Sequence, residues 1–292
     1  MKKQSVHGFL YLPPEFSGYE KARIVILPVP FDKTSTWLKG ADKGPRAIIE
    51  ATMNLEYYET ETQSEVYTQG IFTAKPVLAS TSEKMIKKTY EKVRGFLADR
   101  KFVVTLGGEH SVSIGPIKAH AERFAGMSLL HLDAHSDRRG TYEDNRYSHA
   151  CVIARAKEHV KNVVSVGVRS MDASELASAK QDKIFYAHEI HGKTDWIEKA
   201  VAALSDKVYI TIDLDVFEIG LMPSTGTPEP GGLGWYEVTS LLKEVAKRKN
   251  IVGFDVVELC PSKANRAPDA LAAKLVQTLL SYKFCGKPRQ TF

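Results

Sequence analysis

Met127-Ser128-Leu129-Leu130-His131-Leu132-Asp133-Ala134-His135-Ser136-Asp137 is an apolar run that ends abruptly in carboxylates and an imidazole. The run has no polar face, so it reads as a strand buried on both sides, the habit of parallel rather than antiparallel sheets. His131, inside it, reads as a core residue. The same reading applies to Arg23–Val29, Lys101–Leu106, Asn162–Val168, Lys207–Ile212 and Asn250–Val257. Between such runs apolar residues recur at helical spacing, as in Ile86, Tyr90, Val93 and Leu97, and in Val238, Leu241, Leu242 and Val245. Parallel strands need long crossovers, and helices supply them, so the alternation predicts an α/β fold with a mostly parallel sheet covered on both faces. No Ser/Gly-rich linker, repeat or low-complexity tract breaks the 292 residues, and a single domain over residues 1–292 is expected.

Composition narrows the partners. The chain is 43% hydrophobic and 26% charged, which excludes disordered, collagenous and membrane-spanning classes. Its 40 basic and 35 acidic residues leave a net charge of +5 that is not gathered into one block, so nucleic acid is not an expected partner. Cys151, Cys260 and Cys285 are widely spaced and suggest neither a disulfide framework nor a structural zinc site. Met1–His7 lacks the apolar stretch of a signal peptide, and no run reaches the roughly 18 apolar residues of a membrane helix. A cytoplasmic protein is expected. His188 and His191 lack the spacing of a zinc helix and read as surface residues, and the basic tail Cys285–Arg289 as a flexible or oligomer-contacting end.

In an open parallel sheet, ligands bind beyond the carboxyl ends of the strands. Four of the runs end there in reactive side chains: Gly107-Gly108-Glu109-His110-Ser111, Asp133-Ala134-His135-Ser136-Asp137, Asp213-Leu214-Asp215, and Glu258. Asp133, His135 and Asp137 alternate, as do Asp213 and Asp215, so persistence of the strand conformation would turn each set toward one centre. Gly107 and Gly108 read as a tight turn at positive φ that places His110. Each aspartate alone suits a helix N-cap or a solvated turn. Together, four carboxylates and two imidazoles would repel one another without cations, and they carry enough donors for two divalent ions.

These motifs, in this order, resemble the ureohydrolase family of arginases and agmatinases. Ser148-His149-Ala150, Thr225-Gly226-Thr227-Pro228-Glu229-Pro230-Gly231-Gly232 and Asp255-Val256-Val257-Glu258-Leu259-Cys260-Pro261 bring the likeness nearer to agmatinases. The resemblance implies a three-layer α/β/α domain with an eight-stranded sheet and homotrimers or homohexamers. It also implies two Mn2+ per chain, with Ni2+, Co2+ or Zn2+ as alternatives, and hydrolysis of a guanidino group to urea and an amine. The implied metal ligands are His110, Asp133, His135, Asp137, Asp213 and Asp215, with the bridging roles left open.

Asp137 is also a candidate to orient the attacking water, His149 to shuttle a proton, and Glu258 to pair with the guanidinium. Thr227, Glu143 and Asp144 are candidate substrate contacts, the acidic pair answering a second positive charge such as that of agmatine. Two departures from the family pattern stand out: Thr211 replaces a usual Ser and keeps its hydroxyl, and Glu218-Ile219 replaces a common Asp-Pro at the expected mouth. The expected reaction is agmatine to putrescine and urea. Alternatives are another small cationic guanidine (N1-aminopropylagmatine, guanidinobutyrate or guanidine itself) or an inactive metal-binding relative.

Overall fold

A computed structural model of the chain describes residues 8–285. The readings made for Met1–His7 and for the tail beyond Cys285 lie outside those residues. Eight parallel strands form one sheet: β1 (Ile24–Val29), β2 (Ile71–Thr73), β3 (Phe102–Gly107), β4 (Ser128–Leu132), β5 (Asn162–Val166), β6 (Lys183–Phe185), β7 (Lys207–Asp213) and β8 (Asn250–Val257). Their order is β2-β1-β3-β8-β7-β4-β5-β6. The six apolar runs are the six inner strands. The edge strands β2 and β6 have three residues each and are only partly buried, too short to leave a run in the sequence.

Side chains alternate between two cores, which is why these strands are nearly continuously apolar. In β1, Ile24 and Ile26 enter the larger core, while Val25, Leu27 and Val29 enter the opposite one. The larger core is closed by helices Gly44–Ala51, Asp195–Ala203, Trp235–Arg248 and Ala267–Cys285, the other by Ser82–Ala98, Ile114–Arg123 and Val152–Ala156. Val238, Leu241, Leu242 and Val245 are all buried, as their spacing predicts. On Ser82–Ala98 the buried stripe is Met85, Thr89, Val93 and Leu97, rotated from the expected one so that Ile86 and Tyr90 sit at its margin. Among the described residues no helix is long and apolar enough to cross a membrane, and the three cysteines are unpaired.

Register sets the level at which the chemistry emerges. Leu132 pairs with Ile212, Ile212 with Val256, and Val256 with Leu106. The residues after β3, β8, β7 and β4 therefore leave the sheet side by side, in the centre of its carboxyl edge. Burial of each Val, Leu or Ile in these strands contributes about 1.5–3 kcal/mol, so the polar cluster is carried on strands held by a large apolar core.

Gly107 and Gly108 do not have the positive φ expected of them; they are glycines for want of space. A Cβ on Gly107 would lie 2.2 Å from Val112 Cγ2, and one on Gly108 2.0 Å from the Phe31 carbonyl oxygen. That close approach lets Glu109 N–H reach the Phe31 carbonyl at 2.9 Å and carries His110 over the sheet edge. Gly108→Ala is expected to cost about 3 kcal/mol, read from urea unfolding, because backbone rather than a side chain must yield.

Candidate active site

At the centre of this edge, His110 Nδ1 lies 3.0 Å from Asp133 Oδ2, 3.1 Å from Asp137 Oδ2 and 3.3 Å from Asp213 Oδ2. The other ring nitrogen, Nε2, stands 2.9 Å from Thr211 Oγ1. Thr211 gives its hydroxyl hydrogen to Asp255 Oδ1 at 2.6 Å, so it accepts from His110 Nε2–H, and Nδ1 is left to face the carboxylates. This buried Nδ1 has no hydrogen-bond partner. Three carboxylates gathered there require positive charge among them, and the donor set of one imidazole and three carboxylates fits a divalent cation.

A second cluster adjoins the first. His135 Nδ1 lies 2.9 Å from Asp215 Oδ2 and 3.6 Å from Asp133 Oδ1. Two groups of side chains can each gather ligand atoms around one ion: His110, His131, Asp133 and Asp137, and Asp133, His135 and Asp215. Asp133 is common to both, with Oδ2 toward one and Oδ1 toward the other. Asp213 completes the first group through its contact with His110.

Turns, not continued strand, bring the carboxylates together. β4 ends at Leu132, and Asp133 Oδ1 accepts the His135 N–H at 2.5 Å. Asp213 caps the short helical turn Leu214–Val216 by accepting Asp215 N–H at 2.9 Å, and Asp215 Oδ1 accepts Ala134 N–H at 2.9 Å. Asp137 and Glu258 sit at positive φ, 54° and 67°, a conformation that costs non-glycine residues about 1–3 kcal/mol and concentrates at functional sites.

Crowding shows in the ionisation. Burial, then the Asp133 charge, pushes Asp137 up to about 6. Burial, with Asp215 and Asp133, holds Asp213 well above its ordinary value. Burial also opposes a charge on His110 and His135, but the surrounding carboxylates outweigh it and raise both well above an ordinary imidazole. For Asp133 the three nearby imidazoles outweigh burial and keep it ionised. Glu258 Oε1 accepts the His110 N–H at 2.7 Å; burial and the neighbouring Glu109 carboxylate raise it well above 4.5. Glu109 itself, buried against Ser111, is pushed up to about 7.

A cavity of about 240 Å³ opens onto the cluster. His110, His135, Asp137, Asp213, Glu258, His149 and Thr227 line it, together with Arg139 and Tyr142 of the loop that precedes His149, and with Thr36, Asp172 and Glu175, which no sequence motif marked. His149 is tied by its N–H to Thr34 Oγ1 at 2.9 Å, with Nδ1 3.2 Å from Ser148 Oγ. Burial, then the positive charge of His135 and His110, lowers its pKa to about 4, below the near-neutral titration expected of it.

Glu143 and Asp144 do not reach the cavity. They form the exposed tip of a two-residue turn closed by Tyr142 and Asn145, both at positive φ, and that turn aims them at solvent. Outside the central cluster, the acids on the cavity wall are Asp172 and Glu175, which cap each other in the turn after β5. Glu218, in place of the common Asp, accepts the N–H groups of Gly231 and Gly232 at 3.0 and 2.8 Å and shapes the loop; neither it nor Ile219 lines the cavity.

Arg169 was also unmarked. Its guanidinium donates to the carbonyls of Asp215 at 2.6 Å, Glu229 at 2.8 Å and Pro230 at 3.0 Å, fastening the metal-cluster loop to the loop that carries Thr227. The Glu229 carboxylate lies 3.8 Å from His135 Nε2.

Known proteins resemble this chain over most of its length. Residues 22–281 match the model of the arginase family. An N(1)-aminopropylagmatine ureohydrolase of Thermus thermophilus is 39% identical over 269 residues, covering 91% of this chain and 92% of that protein. The agmatinase of Pyrococcus horikoshii is 37% identical over 259 residues, covering 87% and 90%. The crystal structure of the agmatine ureohydrolase of Thermoplasma volcanium superposes with a TM-score of 0.85 at 32% identity, covering 91% of this chain and 92% of that one.

Because Asp133 serves both clusters, Asp133→Ala is expected to lower metal content from two ions per chain to one or none. Elemental analysis after gel filtration in Mn2+ checks this; two retained ions would remove Asp133 from the ligand set.

Proposed function

The chain belongs to the arginase family, and on that premise we propose that it hydrolyses the guanidino group of agmatine to putrescine and urea with two bound manganese ions. The observation that carries the reading is His110 Nδ1, a buried nitrogen without a hydrogen-bond partner among three carboxylates, beside a cavity that Glu258 also lines. His110, Asp133, Asp137 and Asp213 would hold one ion, and Asp133, His135 and Asp215 the other. Two such ions supply Lewis acidity that lowers the pKa of a shared water from 15.7 toward about 7.

The chain's own groups do the rest. Glu258, buried beside Glu109 without a cationic partner, is completed by a guanidinium, whose two parallel N–H groups match a carboxylate. That pairing presents the guanidine carbon to the cluster. Asp137, poised near 6 by its crowding, accepts a hydrogen bond from the attacking water and fixes its lone pair toward that carbon. The amine is expelled only if it gains a proton. His149, neutral at pH 7 because its pKa is lowered to about 4, is available to take a proton first and return it to the departing nitrogen. Ser148 Oγ at 3.2 Å and Thr34 Oγ1 at 3.4 Å both face its Nδ1, and Thr34 also holds its backbone N–H, which fixes the ring for that transfer.

At the exposed end of the cavity the wall carries Tyr142 and the half-exposed Asp172, with Arg139 stacked on the Tyr142 ring and 3.7 Å from Asp172. A distal ammonium would compete with Arg139 for both groups, an arrangement that suits an aliphatic amine tail. A longer tail extends the same way, and one observation favours N(1)-aminopropylagmatine as a second reading: relatives of that name reach 39% identity.

Urea release by Mn2+-loaded protein on agmatine, N(1)-aminopropylagmatine, arginine, guanidinobutyrate and guanidine, with a chelated control, tests the proposal. Agmatine is expected to give the highest kcat/KM; preference for the longer amine replaces the substrate but keeps the chemistry, and no metal-dependent urea from any of them refutes it. His149→Asn is expected to keep both ions and lose about 10²–10⁴-fold in kcat; wild-type turnover would remove the proton-transfer role.

A further inference from the structure

The geometry points to His131 as a positioning residue that locks the shared carboxylate Asp133, through a one-way chain of hydrogen bonds that begins at the buried guanidinium of Arg138. The inference rests on the two-metal reading of the cluster and takes His131, which the sequence reading assigned to the core, out of the possible ligands, because its Nε2 is engaged with Asp133 Oδ2 at 2.7 Å.

His131 is fully buried in β4, two residues before Asp133 and therefore on the same side of the strand. Its Nε2 stands 2.7 Å from Asp133 Oδ2 and its Nδ1 3.1 Å from Ser165 Oγ. Ser165 is the residue directly paired with His131 across β4 and β5. Arg138 Nη2 donates to the same Ser165 Oγ at 2.8 Å.

A guanidinium only donates, so Ser165 Oγ accepts from Arg138; the Asp133 carboxylate only accepts, so it requires the hydrogen on His131 Nε2, and Nδ1 of the neutral ring is left to accept the Ser165 hydroxyl hydrogen. That fixes the neutral ring with its hydrogen on Nε2, aimed at Asp133. Each step in the chain has one direction, and its source cannot lose its charge at any ordinary pH.

Arg138 is itself immobilised. Its side chain has no exposed surface, and Nε lies 3.1 Å from Asp182 Oδ2. Nη1 donates to the Ser136 carbonyl at 2.7 Å, and the backbone N–H donates to Glu175 Oε1 at 2.6 Å. Lys157 Nζ holds Asp182 from the other side at 3.0 Å.

The consequence falls on Asp133. A carboxylate offers about four lone-pair positions. The His131 N–H occupies one on Oδ2, and the His135 backbone N–H occupies one on Oδ1. One position remains on each oxygen, facing the His110 cluster and the His135–Asp215 cluster respectively. With both outer positions fixed by donors that cannot move, the carboxylate plane cannot rotate away from either ion.

Mn2+ titrated calorimetrically into chelator-stripped protein tests this, with His131→Leu, His131→Gln and Ser165→Ala compared with wild type. His131→Leu is expected to lose about 10–100-fold in Mn2+ affinity, the usual effect of removing an outer partner of a metal ligand. His131→Gln, whose amide N–H can stand where Nε2–H stood, is expected to recover most of that loss. Ser165→Ala is expected to show a smaller loss of the same sign. Wild-type affinity in His131→Leu, or glutamine no better than leucine in proteins with the same melting temperature, overturns the proposal. If the leucine variant does not fold, Ser165→Ala decides alone, and unchanged affinity there overturns it. Wild-type protein that binds no Mn2+ would instead refute the two-metal reading itself.

Discussion

Like charges set the terms for this molecule. Asp133, Asp137, Asp213, Asp215 and Glu258 are all buried at one level of one sheet edge. Two unit charges 4 Å apart repel by about 4 kcal/mol at the effective dielectric of a protein site, so the set cannot stay fully ionised unaided. Some of the required positive charge comes from protons, as the raised values of Asp137, Asp213 and Glu258 record. At the centre His110 Nδ1 faces three carboxylates without a hydrogen-bond partner. Divalent ions would answer both features at once, and the guanidinium of a substrate would answer Glu258.

The rest of the structure keeps such a cluster from flying apart. Strand pairing brings four chain ends to the same height, and the apolar cores on either face make that height rigid. Behind the ligands lies a layer of fixed partners: Thr211 and Asp255 behind His110, and Ser165 and Arg138 behind His131. Arg169 draws together the carbonyls of Asp215, Glu229 and Pro230. Strained backbone at Asp137 and Glu258 persists because these partners over-determine it.

Much of this was legible in the sequence because buried parallel strands cannot hide: six nearly continuous apolar runs marked the six inner strands. The candidate ligands were legible because they follow those runs immediately. What periodicity could not supply was local geometry. Asp133 and His135 converge through a turn that the Asp133 carboxylate itself closes, and Gly108 is required by the nearness of the Phe31 carbonyl, a contact between segments far apart in sequence. Cavity-wall residues Asp172, Glu175 and Tyr142 come from separate loops and form no motif. Glu143 and Asp144 misled because charge was visible and turn geometry was not. His131 could have been recognised, since the alternation that grouped Asp133 with His135 reaches back to it.

The central claim is that this sheet edge is built around two cations that share Asp133. Anomalous diffraction from crystals grown in Mn2+ tests it most directly. Two peaks are predicted, one among His110, Asp133, Asp137 and Asp213 and the other among His135, Asp133 and Asp215, with Asp133 contacting both. A single peak, or two peaks of which one lies away from Asp133, would contradict the account.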